Sequence, residues 1–280
     1  MRMLNQIEND AALTSEEYQE IRVAVIEPRY IDLAGRKVLS PRKVGIGRQE
    51  YGYDAQSDKG SASQIKKATN FPGMDIDITR ALTWIPKTGV SFSIAREDLL
   101  SSRQYGEPLN TRKARRASIL TQHAENTMII SGTTTPYTIT GLYGGAGNTH
   151  AGSDWSTAAN DPTDDVIAAI GEIGSTFEPK ELLLHPVQYR ELFRRNTNTD
   201  KWYMDLIKEL GITPRMDRDM TAGTGLLMAT GPEIAELVIA EDLDVEEDYV
   251  LKNQSYIFNT FLRSVPVIYE TDAFCTITGI

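Results

Sequence analysis

Three features of the sequence predict an α+β fold. Apolar and polar residues alternate in the N-terminal third and again at the C-terminus, apolar residues recur at three- and four-residue intervals between them, and one long polar stretch between strand patterns carries too few apolar residues to form a core. The chain of 280 residues is 40% hydrophobic and 24% charged, which is ordinary globular composition and enough to bury a sizeable core. No stretch approaches the roughly 18 apolar residues of a spanning helix, so no membrane partner is expected. The single Cys275 excludes an intramolecular disulfide framework, and the polar N-terminal segment lacks a secretory h-region, which together predict synthesis in a reducing, intracellular setting.

Thr14-Ser15-Glu16-Glu17 has capping-box spacing and predicts a helix over 15–26, with Tyr18, Ile21 and Val25 on one face and Pro28 ending it; the residues before it read as a loose arm. "MDIDIT" and "VSFSIA" each alternate and read as strands with one apolar face. Between Val44 and Ile76 the chain is Gly/Ser-rich and carries Lys59, Lys66 and Lys67, which predicts a long hairpin arm leaning on another subunit. Asn110 or Thr111 caps a helix of about 20 residues whose apolar positions are Ala114, Ala117, Leu120, Ala124 and Met128, with Gly132 as its C-terminal glycine.

A Gly-containing loop with "GGAG" follows. Asp161-Pro162 opens a helix through Val166, Ile167, Ile170 and Ile173; "ELLLHP" is a buried strand; Pro186 opens a second helix; and "KWYMDLIKELG" a third, through Trp202, Leu206 and Leu210 to Gly211. "LLMAT" and "AELVIA" read as strands, the acidic run Glu241–Asp248 as a solvated face or loop, and the last 25 residues alternate nearly to the end, as a C-terminus tied into a sheet does.

The search for chemistry is nearly empty. The glycine clusters lack the Lys-Ser/Thr of a phosphate loop and the third glycine of a dinucleotide fingerprint. His123, His150 and His185 stand far apart without metal-ligand spacing, and the acidic run places Glu247 where a calcium loop needs glycine. Cys275 has no adjacent base, and no Gly-x-Ser-x-Gly occurs. The expectation is a protein without catalytic residues, cofactor or metal; an enzyme would have to gather His123 or His185 with carboxylates distant in sequence.

Charge is uneven. Residues 1–160 carry 19 Lys+Arg against 17 Asp+Glu, and residues 161–280 carry 10 against 22. Arg112, Lys113, Arg115 and Arg116 crowd the first turns of the long helix, where they oppose the helix macrodipole. Two readings account for them: pairing with carboxylates of a neighbouring subunit, or a diffuse electrostatic face toward packaged nucleic acid without sequence specificity.

The order of elements, together with "REDLLSSRQYGEPLNTRKARRASILTQHAENTMIISG", the "ITGLYG" turn and "IDLAGRKVL", resembles the Hong Kong 97-type fold of tailed-phage major capsid proteins, which encapsulins also use. The likeness spans about 15–280. It implies an N-terminal arm and helix over 1–40, an E-loop hairpin over 41–95, a P-domain spine helix over 96–134, an A-domain over 135–239 and P-domain return strands over 240–280. Gly211 to Gly225 would lie near a symmetry axis.

The function it implies is a major capsid protein assembling, in the host cytoplasm, into the icosahedral shell of a virion around viral double-stranded DNA. Its partners would be further copies of itself in pentamers and hexamers, the packaged DNA, and portal, scaffold or decoration proteins. Lys59, Lys66, Lys67 and Phe71 would make intersubunit arm contacts, and Arg112, Lys113, Arg115 and Arg116 would face the lumen or a neighbour. The alternative is an encapsulin-type shell around a cargo enzyme, in which Tyr18, Ile21 and Val25 of the N-terminal helix would line a cargo-peptide groove.

Overall fold

The Thr14–Glu17 box forms as its spacing predicts: Glu17 N–H donates to Thr14 Oγ1, and Thr14 N–H donates back to the Glu17 carboxylate at 2.9 Å, opening helix α1 (Ser15–Ile26). The structure is a computed structural model that describes residues 13–26, 33–59, 75–105, 111–196, 199–250 and 255–280. A one-turn helix α2 (Gly35–Val38) and a short strand β1 (Ser40–Lys43) follow.

Strands β2 (Glu50–Lys59) and β3 (Asp75–Trp84) pair antiparallel over ten rungs, from Glu50↔Trp84 out to Lys59↔Asp75, and pair with no other described strand. At the usual rise this ribbon is roughly 33 Å long. The arm is narrower in sequence than the 41–95 expected. β1 and the next strand, β4 (Lys87–Ala95), belong to a four-stranded sheet instead: β1 pairs with the strand at 235–250, and the alternating apolar residues of β4 find a partner face there.

Helix α3 (Arg96–Tyr105) leads to the long helix α4 (Arg112–Ser131). Gly132 ends it at φ 80°, and a Cβ there would lie 2.3 Å from the Ile139 carbonyl oxygen, so only glycine fits the turn. The buried face of α4 differs from the expected one. Leu120 and Ala124 face outward, while Ser118, Thr121, Glu125 and Asn126 are buried beside Ala114, Ala117, Met128, Ile129 and Ile130. The helix turns this face inward because the N-terminal segment and the sheet supply hydrogen-bond partners: Ser118 Oγ donates to the Val25 carbonyl at 2.6 Å and Ser264 Oγ to the Glu125 carboxylate, while Thr121 Oγ1 bonds back to Ala117 within the helix.

Two short strands, β5 (Gly132–Thr133) and β6 (Ile139–Thr140), close the turn after α4. Then come β7 (Asn148–Ala151), α5 (Pro162–Ile173), β8 (Pro179–Leu184), α6 (Pro186–Glu191), α7 (Tyr203–Glu209), β9 (Thr213–Met216), β10 (Thr224–Ala229), β11 (Ala235–Val250), β12 (Ser255–Ile268) and β13 (Phe274–Thr278). Asp161 caps α5 through its carboxylate, which accepts from Thr163 N–H at 2.8 Å, with Pro162 at the first position as read from sequence. In α7 the inward residues are Tyr203, Met204 and Ile207, whereas Trp202 and Leu210 flank the helix and stand exposed; the helix begins one residue later than its apolar spacing suggested.

The strands form two main sheets. The four-stranded sheet runs β1-β11-β12-β4, parallel only at β1–β11, and α4 crosses it. The five-stranded sheet runs β7-β13-β10-β8-β9. The acidic run 241–248 is not a loop. It continues β11 against β12 in a ladder that reaches Val250↔Ser255, its acids alternating with the buried Val245 and half-buried Leu243. The C-terminal stretch also divides: β12 returns to the four-stranded sheet, but β13 crosses to the five-stranded one, between β7 and β10. Pro266 is tolerated in β12 because β4 pairs it only as far as Arg263, leaving no ladder bond on that side to lose.

Alternation along the five-stranded sheet feeds two cores. Leu183, Leu226, Met228 and Phe274 pack toward Ile129, Ile130, Leu237 and Val38, joining this sheet to α4 and the four-stranded sheet. Leu182, Leu184, Leu227, Cys275 and Ile277 pack on the other side against Trp155, Val166 and Ile207. Burial there pushes the Cys275 thiol up to about 11. A third core holds α1 in place: Ile21, Ala24 and Val25 meet Ile94, Leu99, Ala114, Val245, Tyr256 and Phe258.

Candidate functional site

A cavity of about 330 Å³ opens where the N-terminal segment crosses the middle of α4. Its walls are Ile26 at the end of α1, Leu33, Arg36 and Lys37 around α2, Gln122, Glu125, Asn126 and Ile129 on α4, Leu243 on β11 and Leu262 on β12. The close approach that makes it depends on Gly35, where a Cβ would lie 2.7 Å from Asn126 Oδ1 and 3.0 Å from Ile129 Cγ2.

Of the charged groups of this cavity, Arg36 and Glu125 are paired with each other, and Lys37 is exposed on the α2 wall. Glu125 is 2% exposed and takes a two-pronged contact from Arg36, Nε to Oε2 at 2.6 Å and Nη2 to Oε1 at 2.9 Å. Ser264 Oγ donates to the same carboxylate, and Arg36 Nη1 reaches Asp242 at 3.1 Å. Burial works against the Arg36 charge, but its bonds to Glu125 and Asp242 outweigh that and hold it above the usual guanidinium range. Gln122 donates to Ser118 Oγ at 3.2 Å. What remains for a ligand is mostly hydrocarbon: Ile26, Leu33, Ile129, Leu243 and Leu262.

Of the residues singled out on α1, Ile21 and Val25 are fully buried in the chain's own third core, and Tyr18 donates its hydroxyl to the Val245 carbonyl at 2.9 Å. They seat the helix; the residue α1 gives to the cavity is Ile26, half exposed. The helix is pinned further by Glu17, whose carboxylate takes Arg103 at 2.7 and 2.6 Å. The Arg103 hydrogen bonds lower its pKa to about 2 against the opposing effect of burial.

Among the basic residues, Lys113 Nζ donates to the Ser93 carbonyl at 3.0 Å, and Arg112, Arg115 and Arg116 are exposed along the first turns of α4. They lie far along α4 from the cavity residues Glu125 and Ile129. Lys59 closes β2 opposite Asp75; Lys66, Lys67 and Phe71 lie outside the described residues.

The arm's base is built of aromatics. Tyr51 and Tyr53 meet Tyr269, whose hydroxyl donates to Glu236 at 2.8 Å, and Arg42 pairs with the same carboxylate at 3.0 Å. Burial, then the bonds to Tyr51 and Glu236, raise the Tyr269 phenol well above its usual range. Trp84 at the end of β3 stacks on Tyr137 at 4.8 Å. Sequence reasoning missed the Arg36–Glu125 cavity. Its one signal was an acid and an amide, Glu125 and Asn126, at helix positions that the spacing of Ala117, Thr121, Met128 and Ile129 turns inward.

Among the described residues no group of three or more His, Cys, Asp or Glu side chains could hold a metal, and no helix is long and apolar enough to cross a membrane. A family model described as "Encapsulating protein for peroxidase" matches residues 3–258. No curated protein matches the chain. Among solved structures, the virus-like particle from Pyrococcus furiosus superposes with a TM-score of 0.70 at 16% identity, over 94% of this chain and 99% of that one. The capsid of Myoviridae phage XM1 gives 0.73 at 12%, over 91% and 94%, and the capsid of a native GTA particle 0.66 at 14%, over 90% and 92%.

At these identities the structures speak for the fold alone, and the fold is the Hong Kong 97-type one over nearly the whole chain. The family match overturns the expectation of a viral major capsid protein around double-stranded DNA, and with it the virion location and the portal, scaffold and decoration partners. Shell proteins of this fold serve phages and compartments alike, so the order of elements alone did not separate the two. The subunit is structural and non-catalytic, and it self-assembles into a shell. The chain belongs to the family of encapsulating shell proteins, the encapsulins.

Proposed function

We propose that this chain forms the closed icosahedral shell of a compartment that carries a guest enzyme, and that the cavity between α1, α2 and α4 docks a short apolar segment of that guest. The observation that carries the reading is the cavity's chemistry. Its buried carboxylate, Glu125, is satisfied by Arg36, so an aliphatic side chain meets Ile26, Leu33, Ile129, Leu243 and Leu262 without stripping water from that carboxylate. The description of the matching family as encapsulating a peroxidase supports a guest of that class.

In this reading the β2–β3 ribbon is the E-loop arm, and it packs on a neighbouring subunit through its outer part, including Lys59, Lys66, Lys67 and Phe71. Leu82, 65% exposed near its base, supports such a contact. The four-stranded sheet with α4 acts as the P-domain and the five-stranded sheet with α5 to α7 as the A-domain, meeting in pentamers and hexamers. Exposed Arg115 and Arg116, with Arg112 and Lys113, pair with a neighbour's carboxylates.

The test is a double substitution, Ile26→Asp with Leu243→Asp, chosen because both positions are partly exposed and the fold survives a charge there. Particles of unchanged diameter that have lost their co-purifying guest support the docking reading. Variant particles that hold as much guest as the wild type refute it.

A further inference from the structure

The wall of the cavity formed by α2 is too short to hold its own shape. In this single turn the Lys37 and Val38 amides bond back to the Ala34 carbonyl, and the first amides need partners from outside. Arg36 ties its middle to Glu125. Its start is held from the other sheet. Asp217, 2% exposed in the turn after β9, accepts Ala34 N–H at 3.0 Å through Oδ2, and both its oxygens accept from Asn126 Nδ2 at 3.0 Å. Asn126 Oδ1 in turn accepts Gly35 N–H at 2.9 Å, and Asp219 Oδ2 takes the same Asn126 amide at 2.6 Å.

We infer that Asp217, which lines no part of the cavity, is a positioning residue for it: the carboxylate from the five-stranded body sets where α2 begins, and so where Leu33 and Arg36 stand. This rests on reading the cavity as a docking pocket. Three donors, the Ala34 amide, the Asn126 carboxamide and the Asp219 amide, converge on Asp217. Replacing it with Ala takes the acceptor from the Ala34 amide and leaves the Asn126 carboxamide to Asp219 alone; replacing it with Asn keeps the shape but turns an NH₂ toward one of the donors. Either change frees the α2 start while leaving β9 and its ladder with β8 untouched.

The probe is Nile red, an uncharged apolar dye, titrated into particles made without a guest. The part of its fluorescence lost in Ile26→Asp/Leu243→Asp particles defines binding at the cavity. The expected result is a rise in its Kd of about ten-fold in Asp217→Ala and about three-fold in Asp217→Asn, with faster amide exchange confined to Ala34–Val38 and an unchanged particle diameter. A merely structural role would speed exchange across β9 and β10 and shift the diameter or the melting temperature together with binding; that pattern overturns the inference. So does unchanged dye affinity in both variants while Ala34–Val38 exchange speeds up. If Asp217→Ala makes no particles, Asp217→Asn decides alone by the same criteria. Wild-type particles with no cavity-specific signal would instead refute the docking pocket itself, a failure distinct from a normal wild type with insensitive Asp217 variants.

Discussion

Substituting Arg36 with Met keeps the aliphatic stem against the cavity wall and removes the guanidinium. Glu125, 2% exposed, then keeps the Ser264 hydroxyl as a donor but loses both prongs of the guanidinium. Breaking a fully buried pair in this way costs about 3–5 kcal/mol. Because the Arg36 side chain is 39% exposed, water reaches part of the vacated space, and about 2–3 kcal/mol is the appropriate expectation. For a chain of this order that lowers the thermal midpoint by roughly 5–10 °C. Glu125→Gln, which keeps one oxygen for Arg36 Nη2 and Ser264 but drops the charge and the acceptor of Arg36 Nε, should cost about 1–2 kcal/mol. Differential scanning calorimetry of unassembled subunits, with circular dichroism to confirm helix content, measures both. An Arg36→Met midpoint within about 2 °C of the wild type would refute the claim that this pair holds α2 to α4.

Three further outcomes follow from other contacts. The Glu17 carboxylate is held at about 2, below its unfolded value near 4.5, so the stability it contributes is fully present above pH 4.5 and drains away as the pH falls toward 2. Acid titration of the wild type should show this loss, and a Glu17→Gln subunit should be flatter across the same window. Deleting residues 57–72 removes the outer arm and should leave the far-ultraviolet spectrum of the subunit nearly unchanged while abolishing large particles by light scattering; normal particles would sink the arm contact. Arg115→Glu with Arg116→Glu places acids at two exposed positions, so subunit melting should shift by less than about 1 kcal/mol equivalent while assembly yield falls; unchanged yield would make the basic run a solvated surface.

Much of the architecture was legible wherever local chemistry decides structure. The Thr14–Glu17 box, the Asp161-Pro162 start and Gly132 each set a helix end through groups within a few residues of one another, and their reading held in detail. What was hidden depends on partners far along the chain. The polar face of α4 turns inward because Val25, Gly35, Arg36, Asp217 and Ser264 meet it there, and no period within the helix announces them. The acidic run reads by composition as a solvated face or a loop; it is a solvated strand face, because β12 supplies a ladder and Val245 an inward anchor. The transfer of β13 to the second sheet is a matter of topology, since its alternation suits either sheet. For the candidate site, the α1 face that periodicity picked out is the one the chain consumes in its own core, leaving Ile26 at its margin to meet a ligand. The shell was readable from the order of elements, and its contents were not, because a genome and a guest protein ask the same fold for a closed lattice.

The most direct test of the central claim is electron cryomicroscopy of purified particles, combined with mass spectrometry of their protein content and assay of nuclease-protected nucleic acid. The account predicts closed shells that hold a guest protein, bound on the face where α1, α2 and α4 meet, without protected double-stranded DNA. Closed shells filled with protected genomic DNA, or subunits that never close into a shell, would contradict it.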